Sequence, residues 1–353
     1  MAHPAFAYVG CFTTEKRKAR GKGVAVFSIA PDTGKWTYVD ACDALHNPHW
    51  VCLDGTGQHL YSAHGDAGEV CSYRRDARTG KLTFLNKQPT GGNNSSYVEV
   101  SRDNRHIVLA TGPGCAVFPI NKDGSLAPYS DKVIPEGEPG PYRHEQKGPH
   151  PHQAPLDPSG KWLVLPDKGF DAVHVYGLDS ATGKLIPGNP VSYKARYGAA
   201  PRHLAFHKTL PYAYLINELN SHITAYKWDA ALGRLTAFQN LTSLPDTFVG
   251  DKNTGAEIQI APSGRFLYVS NRGHNSILCC SIAADGRLKA EHWESVKGTK
   301  PRFFCLTPDG SRLYACNEDS HSIVEFFVDT ETGRITPTGQ IIETGSPACI
   351  AFA

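Results

Sequence analysis

The sequence predicts an all-β fold, a seven-bladed β-propeller with four antiparallel strands per blade and a ring closed by its N- and C-terminal strands. Three observations predict it. A turn signature occurs seven times, a strand–turn–strand signature runs in register with it, and the two chain ends complete one unit between them.

The turn signature is a Gly, usually followed by a basic and then an apolar residue. Its copies are Gly34-Lys-Trp, Gly80-Lys-Leu, Gly124-Ser-Leu, Gly183-Lys-Leu, Gly233-Arg-Leu, Gly286-Arg-Leu and Gly333-Arg-Ile, spaced by 46, 44, 59, 50, 53 and 47 residues. Such turns join antiparallel strands. Over 353 residues, seven copies imply units of about 50, the span of a four-stranded propeller blade.

The second signature aligns without gaps as PHWVCLDGTGQHLY from Pro48, PHQAPLDPSGKWLV from Pro151, PRHLAFHKTLPYAY from Pro201 and PRFFCLTPDGSRLY from Pro301. GAEIQIAPSGRFLY from Gly255 and SSYVEVSRDNRHIV from Ser95 fit the same frame. Each reads as a strand, a turn rich in Pro, Asp and Gly, and a second strand ending in aromatic or β-branched residues. The seventh unit is split: Ser346–Ala353 supplies its first strand and Phe6–Gly10 its second. Closure of this kind leaves no open sheet edge at the seam, whereas an open solenoid would need capping repeats. Residues 1–353 are therefore expected to form one propeller domain.

Composition narrows the function classes. Lys and Arg number 36 against 34 Asp and Glu, a net charge of +2, so the chain as a whole is no polyanion-binding surface and nucleic acid is not an expected partner. The opening MAHPAFAYVG lacks a basic segment followed by an apolar one, and no stretch is long and apolar enough to span a membrane; neither an export signal nor a membrane partner is expected. Ten cysteines lie scattered without CxxC pairs, which predicts reduced structural thiols in a cytoplasmic protein. His144, His150 and His152 form HxxxxxHxH, without cysteines placed to complete a metal site, so no metal is expected. GxSxG, P-loop and GxGxxG motifs are missing, and no cofactor is expected.

The repeat frame also locates candidate chemistry. In an antiparallel pair, the start of one strand and the end of its neighbour share an edge. The residue after each leading Pro and the segment past each second strand therefore belong to one mouth of the central channel. The first position reads His49, Ser96, His152, Arg202, Ala256, Arg302 and Ala348 around the ring. The second segments include Asp167-Lys168, Asn217-Glu218, Asn271-Arg272 and Asn317-Glu318. Units three to six thus gather His152, Lys168, Arg202, Glu218, Arg272 and Arg302 on one side of one opening. Desolvating so many charges is a cost that a purely structural ring has no need to carry. Asn217, Asn271 and His203, at or beside these positions, are further candidate substrate contacts. The segments Ser130–His150 and Leu244–Gly255 read as loops projecting from the same mouth, where they would form a lid. Trp50, Tyr97 and Phe303 occupy equivalent repeat positions and are expected to pack blade against blade.

GAAPRHLAFHKTLPYAYLINELNSHITAY at Gly198–Tyr226 resembles the signature of the seven-bladed lactonase family, which includes the propeller-type 6-phosphogluconolactonases and the fungal carboxy-cis,cis-muconate cyclases. PHPHQAPLDPSGKWLVLPDKGFDAVHVY at Pro149–Tyr176 matches the unit before it, and GAEIQIAPSGRFLYVSNRGHNSI and KPRFFCLTPDGSRLYACNEDSHSI match the two after it. The resemblance implies a site of a His, an Arg, a Glu and a second Arg, which by motif fall on His152, Arg202, Glu218 and Arg272. It implies hydrolysis of a small anionic sugar lactone, 6-phosphogluconolactone foremost. Glu218 or His152 would activate water, Arg202 and Arg272 would meet the carbonyl oxygen, and Lys168 and Arg302 would anchor a phosphate or carboxylate. Two alternatives use the same frame: cyclisation of a carboxylated muconate to a lactone, and a non-enzymatic scaffold binding peptide across its face. A monomer or weak homo-oligomer is expected.

Overall fold

The computed structural model describes residues 4–42 and 46–353, and their architecture is a ring of seven antiparallel sheets. Blades are numbered by the chain order of their innermost strands. Blade one comprises Trp50–Leu53, His59–Ala63, Glu69–Arg75 and Leu82–Pro89; blade two comprises Asn93–Val100, His106–Gly112, Gly114–Pro119 and Asp131–Val133. Blade four runs from Pro201–Phe206 to Arg234–Thr242, blade five from Thr254–Ile260 to Leu288–Ser295, and blade six from Pro301–Leu306 to Ile335–Glu343. Helix is confined, among the described residues, to a 3-10 turn at Glu15–Arg17, and none is long and apolar enough to cross a membrane.

Blade seven is the expected seam. Its innermost strand, Pro347–Phe352, pairs with Phe6–Cys11 in the register Ala7↔Phe352 to Cys11↔Pro347, and Val24–Ile29 and Trp36–Cys42 complete it. Blade three differs. Three strands, Trp162–Asp167, Ala172–Asp179 and Lys184–Lys194, form its ladder, and the fourth, innermost position is held by two isolated bridges, Pro151↔Asp167 and Leu156↔Leu163. Pro151 and Pro155 lack the N–H that a continuous ladder requires.

Second strands are buried on both faces because neighbouring blades sandwich them. Phe6–Cys11 is buried at every position, and Ile107 to Ala110 are fully enclosed. Outermost strands such as Lys184–Lys194 are largely solvated. The repeated Gly turn links the blades. All seven glycines have φ between 63° and 85°, a region open to Gly at little cost. Four of their carbonyls also serve the preceding blade: Tyr8 donates to Gly80, Tyr61 to Gly124, Tyr214 to Gly286 and Tyr268 to Gly333, at 2.8–3.1 Å.

Innermost strands carry a bulge close to the mouth. Pro201 pairs with Asn217 but His203 with Ile216, leaving Arg202 as the extra residue; Pro301 and Phe303 likewise bracket Arg302. Blades two, five and seven shift register at the same place. A bulge re-aims the side chain it inserts, which explains why the position after the leading Pro serves the channel.

The segments expected to be loops are in part built into the sheets. Asp131–Val133, within Ser130–His150, is the outermost strand of blade two. Gln146 pins the remainder of that segment over blade three by donating to the Lys168 carbonyl and to Asp171 Oδ1, both at 2.8 Å. In the segment Leu244–Gly255, Asn253 donates to Ser221 Oγ and Asn271 Oδ1.

Candidate active site

Glu218 organises the mouth. Its Oε1 accepts from Lys168 Nζ at 2.6 Å, and its Oε2 lies 3.0 Å from Arg202 Nε and 3.2 Å from Arg272 Nη2. Burial alone would raise its pKa, but Lys168, Arg272 and Arg202 outweigh that and hold the carboxyl well below the usual carboxylate range. Arg202 is 1% exposed and its Nη1 donates to the Ala256 carbonyl, so it braces the site from beneath. Arg272 donates to the Gly255 carbonyl at 3.0 Å, and its Nε is buried without a hydrogen-bond partner. Arg302 stacks over Phe12 and reaches Glu318 only at 3.8 Å, while Lys300 takes Oε1 of Glu318 at 2.8 Å.

His152 enters from blade three, its backbone N–H bonded to the Pro166 carbonyl. Its Nδ1 is 3.0 Å from His203 Nε2, and His203 Nδ1 is 3.0 Å from Glu257 Oε2. Imidazole nitrogens lie on opposite sides of the ring, so His152 Nε2 points away from His203. Burial, reinforced by Arg202, His203, Lys168 and Arg302, holds the His152 pKa well below the ordinary value, and its imidazole is neutral at physiological pH. His150 stacks parallel to His152 at 6.2 Å rather than converging on a common point with it.

Beneath this layer the axis is filled. Trp50 contacts Tyr97 at 4.8 Å and both Phe303 and His203 at 5.4 Å between ring centroids. The expectation that these aromatics pack neighbouring blades is refined: Trp50 reaches across the channel, and with Tyr97 and Phe303 it plugs the axis.

With this geometry in view, the chain can be compared with known proteins. The family model described as lactonase, 7-bladed beta-propeller, matches residues 6–352. The chain belongs to that family. It is 32% identical to a 6-phosphogluconolactonase of Bacillus subtilis, over 98% of this chain and 97% of the relative, and 29% identical to one of Formosa agariphila, over 98% and 99%. The structure of a periplasmic gluconolactonase of Pseudomonas aeruginosa superposes with a TM-score of 0.88 at 28% identity, covering 99% of this chain and 98% of that one.

Of the residues singled out from the sequence of this lactonase-family chain, His152, Lys168, Arg202, Glu218, Arg272 and Arg302 come together as the repeat frame requires. Asn217 and Asn271 do not join them at the mouth. Asn217 Nδ2 bonds the His222 carbonyl and Thr224 Oγ1 inside blade four. Asn271 is held by Ser243 Oγ and the Ser243 carbonyl, just past the outermost strand of blade four. Both are at most 1% exposed and pin the turn after the second strand, as Asp167 does by accepting from the backbone N–H groups of His150 and Gly169. His203 is wholly buried behind His152 rather than open to a substrate. Glu257 escaped the sequence reading, although the repeat frame contained it. One residue further along the innermost strands, the ring reads Trp50, Tyr97, Gln153, His203, Glu257, Phe303 and Cys349, a layer in which only His203 and Glu257 are a complementary acid–base pair.

Proposed function

We propose that this chain hydrolyses small anionic sugar lactones, with 6-phosphogluconolactone the substrate that best fits the charge of the mouth. The observation that carries the reading is the charge balance. Five cations, Lys168, Arg202, Arg272, Lys300 and Arg302, face three carboxylates, Glu218, Glu318 and Asp319, leaving an excess of two positive charges beside a neutral His152. A phosphate close to dianionic would complement that excess. The names of the relatives support the same substrate class.

His152 is the base in this reading. Glu218, with both oxygens committed to three cations, retains little basicity, which narrows the sequence-based choice between the two. His152 Nε2 takes a proton from water as the water oxygen bonds the lactone carbonyl carbon. The carbonyl electron pair moves to oxygen, where the Arg272 guanidinium stabilises it. Collapse breaks the bond from that carbon to the ring oxygen, and the ring oxygen leaves with the proton returned by His152. Arg302, whose guanidinium makes no hydrogen bond among the described residues, anchors the phosphate. Arg202 holds Glu218 and His203 in place.

The test is hydrolysis of 6-phosphogluconolactone and of glucono-δ-lactone, followed by acid release, with wild type and His152→Asn. Wild type is expected to open the phosphorylated lactone, and His152→Asn to lose about 100-fold in kcat with KM little changed. A wild-type chain that leaves both lactones intact, or that cyclises a carboxylated muconate instead, would overturn the reading.

A further inference from the structure

We infer that His203 and Glu257 form a two-step proton relay behind His152, in which Glu257 is a positioning residue that finally holds the proton His152 takes from water. The inference rests on the reading of His152 as the base.

Three side chains lie in line from the mouth into the plug: His152, His203 and Glu257, joined by contacts of 3.0 Å each and exposed by 5%, 0% and 3%. Proton positions follow from a fourth group. Arg202 Nη1 lies 3.3 Å from His203 Nε2, and a guanidinium only donates, so His203 Nε2 is an acceptor and its Nδ1 carries the hydrogen that faces Glu257. The single lone pair of His203 Nε2 is shared between Arg202 and the nearer His152 Nδ1–H, which leaves the lone pair of His152 on Nε2, toward the mouth.

A proton arriving at Nε2 would make His152 an imidazolium among Lys168, Arg202 and Arg302. Two short shifts avoid this. The His152 Nδ1 proton passes to His203 Nε2, and the His203 Nδ1 proton passes to Glu257 Oε2. All three groups end neutral, one proton is gained at the mouth, and none is lost. The reverse shifts return the proton to the leaving ring oxygen. A structural plug has no use for such a pair. Glu257 sits amid Trp50, Tyr97, Phe303 and Cys349, lining a cavity of about 400 Å³ on the far side of the plug, where a purely packing role would call for an apolar residue.

Burial pushes Glu257 up to about 8, against the pull of Arg202. Around it, His203 and Arg202 come from blade four, Cys305 and Cys316 from blade six, Cys349 from blade seven, Cys52 from blade one, and Tyr97 and Glu99 from blade two. Burial raises each of these thiols and the Tyr97 phenol above its ordinary value, so none of them titrates near neutrality, and it raises Glu99 as well. Facing His152 are Lys168, Arg202, Arg302 and His150, the last lowered to about 4 chiefly by burial. The relay therefore takes up its extra proton as pH falls through the range near 8, and with it the mouth loses the lone pair of His152.

Glu257→Gln keeps an acceptor for His203 but cannot take the proton. Steady-state kinetics on 6-phosphogluconolactone from pH 6 to 9 should show wild-type kcat rising along a limb near 8. The variant should lose that limb and at least about tenfold in kcat, with KM within about twofold of wild type. A Glu257 that merely balances Arg202 would change the melting temperature or KM and leave the limb in place, which overturns the relay. Each profile is compared within one protein, so a smaller folded fraction rescales it without reshaping it. If Glu257→Gln yields no folded protein, His203→Gln breaks the same chain and must also abolish the limb; its persistence overturns the relay. Loss of the relay alone leaves wild-type hydrolysis intact, whereas failure of wild type on every lactone sinks the underlying reading.

Discussion

Lys168 Nζ approaches Oε1 of Glu218 to 2.6 Å, while the other oxygen of that carboxylate is shared by Arg202 and Arg272. One anion therefore pairs with three cations, Lys168 and Arg202 buried and Arg272 half-buried. Glu218→Gln should cost about 3–5 kcal/mol in stability, because it leaves those cations uncompensated. It should also lower kcat/KM through their disorder. Thermal denaturation checks the first effect; an unchanged melting temperature would mean that the cations are held by something other than Glu218.

Arg302→Met keeps an unbranched side chain of similar reach and removes the guanidinium that lies over Phe12. KM for 6-phosphogluconolactone should rise at least about tenfold, while KM for the unphosphorylated lactone stays within about twofold. An equal rise for both substrates would remove Arg302 as the phosphate anchor.

Four buried histidines and the half-buried His150 make stability depend on pH. His49, His152 and His203 are held well below the ordinary histidine value, and His64 and His150 are lowered to about 4, in every case chiefly by burial. Between the folded values and the unfolded value near 6.5, the unfolded chain binds more protons, so stability increases with pH over that window. Each histidine contributes a slope of up to about 1.4 kcal/mol per pH unit. The melting temperature should climb from pH 4.5 to 6.5, less steeply by the one proton that folded Glu257 retains up to about 8, and should decline slightly between 7 and 8. A flat profile from pH 5 to 7 would show that these rings protonate within the fold.

Tyr214 offers a stability variant remote from the mouth. Its hydroxyl donates to the Gly286 carbonyl at 2.9 Å, tying blade four to blade five. Tyr214→Phe should cost about 1 kcal/mol in chemical denaturation and leave kcat unchanged. A loss of activity matching that of the mouth variants would mean that the contact between blades governs the site.

The ring was legible because its signals repeat. A single Gly-Lys-Leu or Pro-Ser-Gly says little, but seven copies at a near-constant spacing specify the number of blades and even the split seam. The cationic mouth was legible for the same reason, and in blades four, six and seven the residue after the leading Pro is the bulged one. Asn217 and Asn271 were assigned to the mouth because adjacency along the chain says nothing of direction: consecutive side chains in an extended segment turn to opposite sides. The repeat held the remedy. Asp167, Asn217, Asn271 and Asn317 are nearly constant across blades, which suits a turn-pinning role, while the residues that follow them, Lys168, Glu218, Arg272 and Glu318, vary in charge. Glu257 was obscured by the apolar run GAEIQI, which reads as an ordinary core strand. Its partner His203 lies 54 residues earlier, and only the closed ring brings them together.

The aromatic plug at Trp50, Tyr97 and Phe303 gives the molecule one door. On the proposed reading, substrate must enter and the ring-opened acid must leave through the same cationic mouth. Opening a lactone adds a carboxylate, so the product carries one more negative charge than the substrate and competes well for the same guanidinium groups. Accumulating product would then inhibit, and that inhibition would be relieved as rising ionic strength screens the mouth.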